Sequence, residues 1–196
     1  MAAQLRADAL RRALDLAEEG DGRELETARA LLEQRPEPSA AAWRLAIEAG
    51  LRFLGSPGAP PRLPLPSDAK LTSHGLYWLG REALLAFDPE AVERCARTAE
   101  TLSPVDDVDG LRLSLTRALG QLAKGDADLP SLKQLERDAG RAKHAGFVID
   151  AASLAALAEA AAGNGAGALE TARRASRMAR TEGLPQREYL ANLVLS

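Results

Sequence analysis

The sequence predicts an all-α protein of about ten helices stacked as antiparallel pairs, and three observations carry that expectation. Hydrophobic residues make up 46% of the chain but aromatics only 4%, so the apolar content comes mainly from Ala, Leu and Val. Ala and Leu, with the abundant Arg and Glu, are strong helix formers. Strand-favouring residues are scarce, with two Tyr, two Trp and three Phe, and no alternating run rich in Val, Ile and Thr occurs. Apolar residues instead recur at three- and four-residue spacing almost everywhere, separated by short Gly-, Pro- and Asp-containing joins that make neighbouring helices hairpins.

The elements follow in order. A first helix spans Ala2 to Glu19, with Leu5, Ala9, Ala13, Leu16 and Ala17 on one face, and Gly20-Asp21-Gly22 ends it. A second covers Arg23 to Gln34 and closes at Pro36 and Pro38. Ser39 caps a third, which runs to Leu54 and carries Trp43, Ile47 and Leu51. The stretch GSPGAPPRLPLPSD, from Gly55 to Asp68, then admits neither helix nor central strand, because its prolines lack amide donors and fix φ. It is a linker or an extended segment lying over the helices; Leu63 and Leu65, alternating with proline, favour the packed segment. Seven helices follow, over Ala69–Phe87, Pro89–Leu102, Asp107–Lys124, Pro130–Ala145, Asp150–Ala162, Ala166–Thr181 and Pro185–Ser196. Asp88 is a good N-cap before Pro89, Asn164-Gly165 suits a tight turn, and Gly146 and Gly183 suit helix ends. The domain reading is N-terminal helices over 1–54, a connector over 55–68 and helical repeats over 69–196, as one continuous domain.

Charge and cysteine content narrow the function classes. A net charge of −3 with both signs spread along the chain argues against nucleic acid as a main partner, since phosphate binding needs clustered cations. Cys95 is the single cysteine, so no internal disulfide and no thiolate metal cluster can form. The first twenty residues read as an amphipathic helix bearing Asp8 and Asp15, not as a signal peptide. No apolar stretch is long enough to span a membrane, and a reducing cytoplasm is the expected compartment.

The stretch from Ser73 to Asp106 carries Leu76, Leu79, Gly80 and Ala83 in one helix, Val92, Ala96 and Ala99 in the next, and then Pro104. In this it resembles a tetratricopeptide repeat, whose period is about 34 residues. Ala83 stands where that family usually has a large aromatic, and Val92 where it usually has Ala. Asp107 to Ala145 keeps Leu119, Gly120, Ala123, Leu132 and Ala139 in a second pair. A third, from Asp150 to Pro185, resembles the longer-helix repeats of large bacterial regulatory and signalling proteins, with Ala168, Ala172 and Ala175 as packing positions. The first two helices resemble a degenerate pair. The resemblance implies a right-handed α-solenoid, and the competing architecture is a non-repeating helical bundle.

Candidates for chemistry are weak. His74 and His144, the two histidines, lie in different helix pairs without a His or Cys at ligand spacing. Asp106-Asp107-Val108-Asp109-Gly110 lacks the carboxylate spacing and the Glu of a calcium loop and reads as acidic residues at the positive end of a helix. Cys95 reads as a buried packing thiol, and Gly163-Asn164-Gly165-Ala166-Gly167 as a helix-to-helix turn. Nothing supplies a nucleophile, a metal or a matched acid–base pair, so neither an enzyme nor a cofactor is expected.

If the repeat register holds, the inner helix of each pair lines a concave groove. Helical periodicity then places His74, Tyr77, Trp78, Arg81 and Leu85 there from one pair, and Arg117, Gln121 and Lys124 from the next. Aromatics combined with cations suit a protein or peptide segment bearing acidic and apolar residues. For Tyr77 and Trp78 the core is the other reading. The family's clamp for a C-terminal carboxylate uses Lys and Asn at fixed inner positions; those asparagines are absent and Arg81 occupies one such place, which argues against a chaperone C-terminus as ligand.

The resemblance thus implies a protein-interaction module or scaffold, the sensor or adaptor part of a larger signalling or regulatory protein. The alternative is a helical small-ligand receptor whose pocket the Pro-rich segment roofs. The last helix, PQREYLANLVLS, places Tyr189, Leu190, Leu193 and Val194 on one apolar stripe with no stop signal after it. The chain therefore reads as cut from a longer protein and is expected to form a homodimer through that helix.

Overall fold

A computed structural model describes residues 2–34, 40–56, 59 and 71–196, with no side chain described for 2–5 or 34. Among the described residues the fold is all-helical, with ten α-helices, one 3₁₀ turn and no strand. The helices are α1 (Ala2–Glu18), α2 (Arg23–Gln34), α3 (Ala40–Phe53), α4 (Ser73–Leu85), α5 (Pro89–Thr101), α6 (Asp107–Lys124), α7 (Leu129–Arg141), α8 (Ala145–Ala161), α9 (Gly165–Thr181) and α10 (Glu188–Leu195). The 3₁₀ turn, Pro185–Arg187, leads into α10. No helix among these residues is long and apolar enough to cross a membrane. The Ser39 cap and the packing of Leu63 and Leu65 fall outside the described residues.

Helix ends explain the hairpins. After α4, α7, α8 and α9 the chain takes one left-handed residue, respectively Phe87, Lys143, Gly163 and Gly183. Each time the next amide bonds back five residues, as from His144 N–H to the Ala139 carbonyl at 3.0 Å, which satisfies carbonyls the helix leaves open. Three of the following residues cap the next helix, with Asp88, His144 and Asn164 accepting from the amides of Ala91, Phe147 and Gly167. The chain therefore reverses within three residues.

Three boundaries differ from expectation by three residues or more. The α7–α8 break lies at Lys143, not at Gly146, so α8 starts at Ala145 and contains Gly146 and Asp150. Gly146 is there for space: a Cβ would sit 2.5 Å from the Arg187 guanidinium carbon. Elsewhere α4 begins at Ser73 behind a Thr72 cap, later than the expected Ala69, and the last helix begins at Glu188 after the 3₁₀ turn, not at Pro185.

Helices α4, α6, α8 and α10 contact one another in succession, and α5, α7 and α9 each pack against the two of these that flank them. That pattern is consistent with a helical repeat. Small residues set the spacing. A Cβ on Gly120 would lie 2.3 Å from the Ala96 Cβ, so the Ala96 methyl of α5 rests directly on the α6 backbone. Gly80 is less crowded, its nearest neighbours being Cys95 and Leu119 at 3.4 Å. Cys95 is buried. At the other end, α3 lies on α4, where Gly50 receives the benzo edge of Trp78, and α1 packs on α2 and α3.

Candidate functional site: a buried ion network on the inner helix layer

Interior charges are rarely fully buried unless paired, yet the face shared by α4, α6 and α8 carries a concentration of them. Glu18, His74, Arg81, Asp109, Arg112, Asp150 and Arg187 are all buried. They come from α1, α4, α6, α8 and the 3₁₀ turn, so this network ties the two ends of the chain to the middle.

One half centres on Arg112 of α6. Its Nε and Nη2 donate to the two carboxylate oxygens of Glu18 at 2.7 Å each, its Nη2 also to Asp15 at 3.0 Å, and its Nη1 to Asp109 at 2.9 Å. His74 Nε2 lies 2.8 Å from the same Asp15 oxygen that Arg112 reaches. Ser73 donates to Asp109, which also accepts from the Val105 amide. Burial works against ionisation of Glu18, but the Arg112 charge and hydrogen bonds outweigh it and hold its carboxyl below the usual range. Asp15 is likewise lowered, with burial overcome by His74 and Arg112, and so is Asp109, with burial overcome by Ser73, Val105 and Arg112.

The other half centres on Asp150 of α8. It accepts from Arg81 Nη1 at 2.5 Å, from Arg187 Nη1 and from the Tyr77 hydroxyl. Burial pushes this carboxyl up, while the charge and hydrogen bond of Arg187 pull it back. Arg187 also donates to the Tyr77 oxygen at 2.7 Å and, through Nη2, to the Glu18 backbone carbonyl at 2.6 Å. Phe147 fills the space between the halves, edge-on to Tyr77 and stacked on His144 at 3.8 Å between centroids. His144 Nδ1 accepts from the Phe147 amide, so the proton of the neutral ring sits on Nε2, facing Glu18 at 3.8 Å. Burial lowers His144 against the opposing pull of Glu18.

The last turn of α1 thus inserts a carboxylate pair and a helix-terminal carbonyl among Arg112, Arg187, His74 and His144. Cations are favourable at the carbonyl end of a helix for the same electrostatic reason. Asp15, Glu18 and His74 also offer three ligand atoms within 4.8 Å of one another, as a metal site would. The Arg112 guanidinium already bridges both carboxylates, so the cation of this cluster is an arginine.

The expected groove residues divide. His74, Tyr77, Trp78 and Arg81 do share one face of α4, but all four are buried, under α1, α3 and the 3₁₀ turn, and in this arrangement they are not open to a partner. Leu85 is half-buried. From α6 the structure brings Arg112 to this face. Arg117 instead donates to the Ala99 carbonyl of α5 at 2.8 Å, while Gln121 and Lys124 are exposed beyond it. The residues sequence reasoning missed are Glu18, Arg112, Asp150 and Arg187. Comparison with protein-family models, curated proteins and solved structures finds no match.

Proposed function

We propose that this chain is a protein-interaction module, a tetratricopeptide-like right-handed solenoid whose inner face grips the acidic last turn of an amphipathic helix. In this structure α1 of the same chain takes that place. The observation that carries the reading is Glu18: fully buried, it is held by two Arg112 hydrogen bonds while Arg187 holds its carbonyl. The link from α1 to the inner layer runs through charge and hydrogen-bond geometry, which selects a partner more than it adds raw affinity. A partner helix with two carboxylates spaced as Asp15 and Glu18 would satisfy the same donors. A scaffold or adaptor role in a larger regulatory protein follows from the repeat likeness, and no enzymatic role is proposed. Self-association through α10 rests on Tyr189 and Leu195, which stay exposed, since Leu190 is buried and Leu193 and Val194 are half-buried.

The test uses a labelled synthetic peptide of residues 2–19 and the full chain carrying Asp15→Lys and Glu18→Lys, which frees the site of its own helix. Fluorescence anisotropy should show saturable binding to this variant, at least about tenfold tighter than to the unaltered chain, because the tethered helix competes at high effective concentration. A peptide with the same two lysines should not bind. A folded variant that ignores the native peptide would refute the reading.

A further inference from the structure

A second surface lies away from the ion network, at the open end of the α6–α7 hairpin. Helix α6 packs on α7 less extensively than α5 packs on α6 or α7 on α8. A groove of about 520 Å³ is left between the start of α6 and the end of α7. Leu111 and Leu135 form its apolar floor, with Pro104 and Ala142 exposed beside them. The other lining residues include three carboxylates, Asp106, Asp107 and Asp138, against one cation, Arg141. Arg141 is paired with Asp138 at 2.9 Å, and Asp106 accepts from the Asp109 amide as the α6 cap. Asp107 is exposed and has no partner among the described residues.

A complementary surface stands on the same chain. The outer side of α9 carries Leu169, Arg173 and Arg177 at four-residue intervals, all exposed, and this spacing sets them in one stripe. Arg174 and Arg180 of α9 are held within the chain by Glu136 and Glu188. Arg173 and Arg177 have no ionic partner among the described residues. Glu170, the single acidic residue of α9, interacts with Arg174. Dimensions agree as well. At about 1.5 Å per residue, the stripe from Leu169 to Arg177 spans about 12 Å, and the groove follows α6 from Asp107 to Ser114, about 10 Å. The opposite face of α9 is fixed in the fold by buried Ala168, Ala172, Ala175 and Ala179, so the stripe cannot turn into its own chain's groove.

We propose that the α6–α7 groove receives the outer face of α9 from a second copy of this chain, with Leu169 against Leu111 and Leu135, and the two arginines against Asp107 and Asp138. The contact is heterologous. Each copy offers one groove and one stripe, so association continues head to tail and does not close at two. A two-fold contact through α10 would stop at a dimer. One helix face in one groove is a small interface, which makes the contact weak, and its charges make it sensitive to salt.

The experiment is sedimentation equilibrium of the full chain. The weight-average mass should climb with concentration up to about 1 mM without levelling at two copies, and about 0.5 M sodium chloride should reverse most of the climb. One variant carries Asp107→Lys and Asp138→Lys, the other Arg173→Glu and Arg177→Glu, and circular dichroism checks that both are folded. Each alone should associate at least about tenfold more weakly, because like charges then meet across the contact. Their equimolar mixture should regain association, since one variant keeps the stripe and the other keeps the groove. A strict monomer up to about 1 mM, a mass that levels at two copies, indifference to salt, unchanged association in either folded variant, or a mixture no more associated than its components would each overturn the proposal.

Discussion

Replacing Arg112 with Met should be among the most damaging single substitutions in this chain. The side chains are similar in length, so packing changes little and the loss is chiefly of charge. Asp15 is about half exposed and keeps His74, so it rehydrates; Asp109 keeps Ser73 and the Val105 amide. Glu18 has neither recourse. It is fully buried, loses both 2.7 Å bonds, and retains only His144 at 3.8 Å. Stranding a buried charge in this way costs about 3–5 kcal/mol, a large share of the roughly 5–15 kcal/mol that holds a domain folded. For a chain of this size that corresponds to a fall in melting temperature of roughly 10 °C. Urea unfolding followed by circular dichroism gives the number directly. The double substitution Arg112→Met with Glu18→Met should recover most of it, because an apolar pair replaces an ion pair at little cost. A single-variant loss under about 1 kcal/mol, the range of an exposed ion pair, or a double variant no better than the single one, would mean that the α1 turn is not seated as described.

Two further outcomes follow from the packing and the titrating groups. Gly120→Ala should destabilise by about 1 kcal/mol, since overpacking costs roughly 1–3 and the helix-propensity gain returns about 1; the swap Ala96→Gly with Gly120→Ala should melt close to the unaltered protein, and a stabilised Gly120→Ala would refute the backbone contact. Stability should be lost in the acid range, measured by urea titration: the depressed Asp15, Glu18 and Asp109 contribute stability above about pH 4 that disappears as pH falls through their folded values. Between pH 7 and about 4 two groups oppose each other, since depressed His144 loses stability on acidification while Asp150, raised to about 7, regains it. Stability that rises as pH falls below about 4 would contradict the network.

Much of the helical framework was legible because it rests on local rules. Asp88 before Pro89 and Asn164 after Gly163 cap where such residues should, and Cys95 on an apolar face is buried as expected. Lys143 hid a boundary because a left-handed lysine leaves no mark in sequence, whereas Gly146 offered a false one. The ion network was harder to read, since its members are as far apart as Glu18 and Arg187 and only tertiary contact pairs them. One signal was nevertheless present. The α8 sequence AGFVIDAASLAALAEAA is mostly apolar on every side, which marks a buried helix, and its Asp150, past the first turn, demands a cation from elsewhere. Reading Gly146 as a helix end moved Asp150 to a helix start, where an acid needs no such partner, and so concealed the demand.

The proposed function requires that the inner face release α1 to an acidic helix. Hydrogen–deuterium exchange of the unaltered full chain, with and without the peptide of residues 2–19 in excess, reads this for each helix separately. The prediction is that α1 amides exchange faster as the peptide saturates, while those of α4, α6 and α8 stay protected or gain protection. Unchanged α1 exchange at saturating peptide, or acceleration spread across α4, α6 and α8, would contradict a displaceable helix on a preformed face.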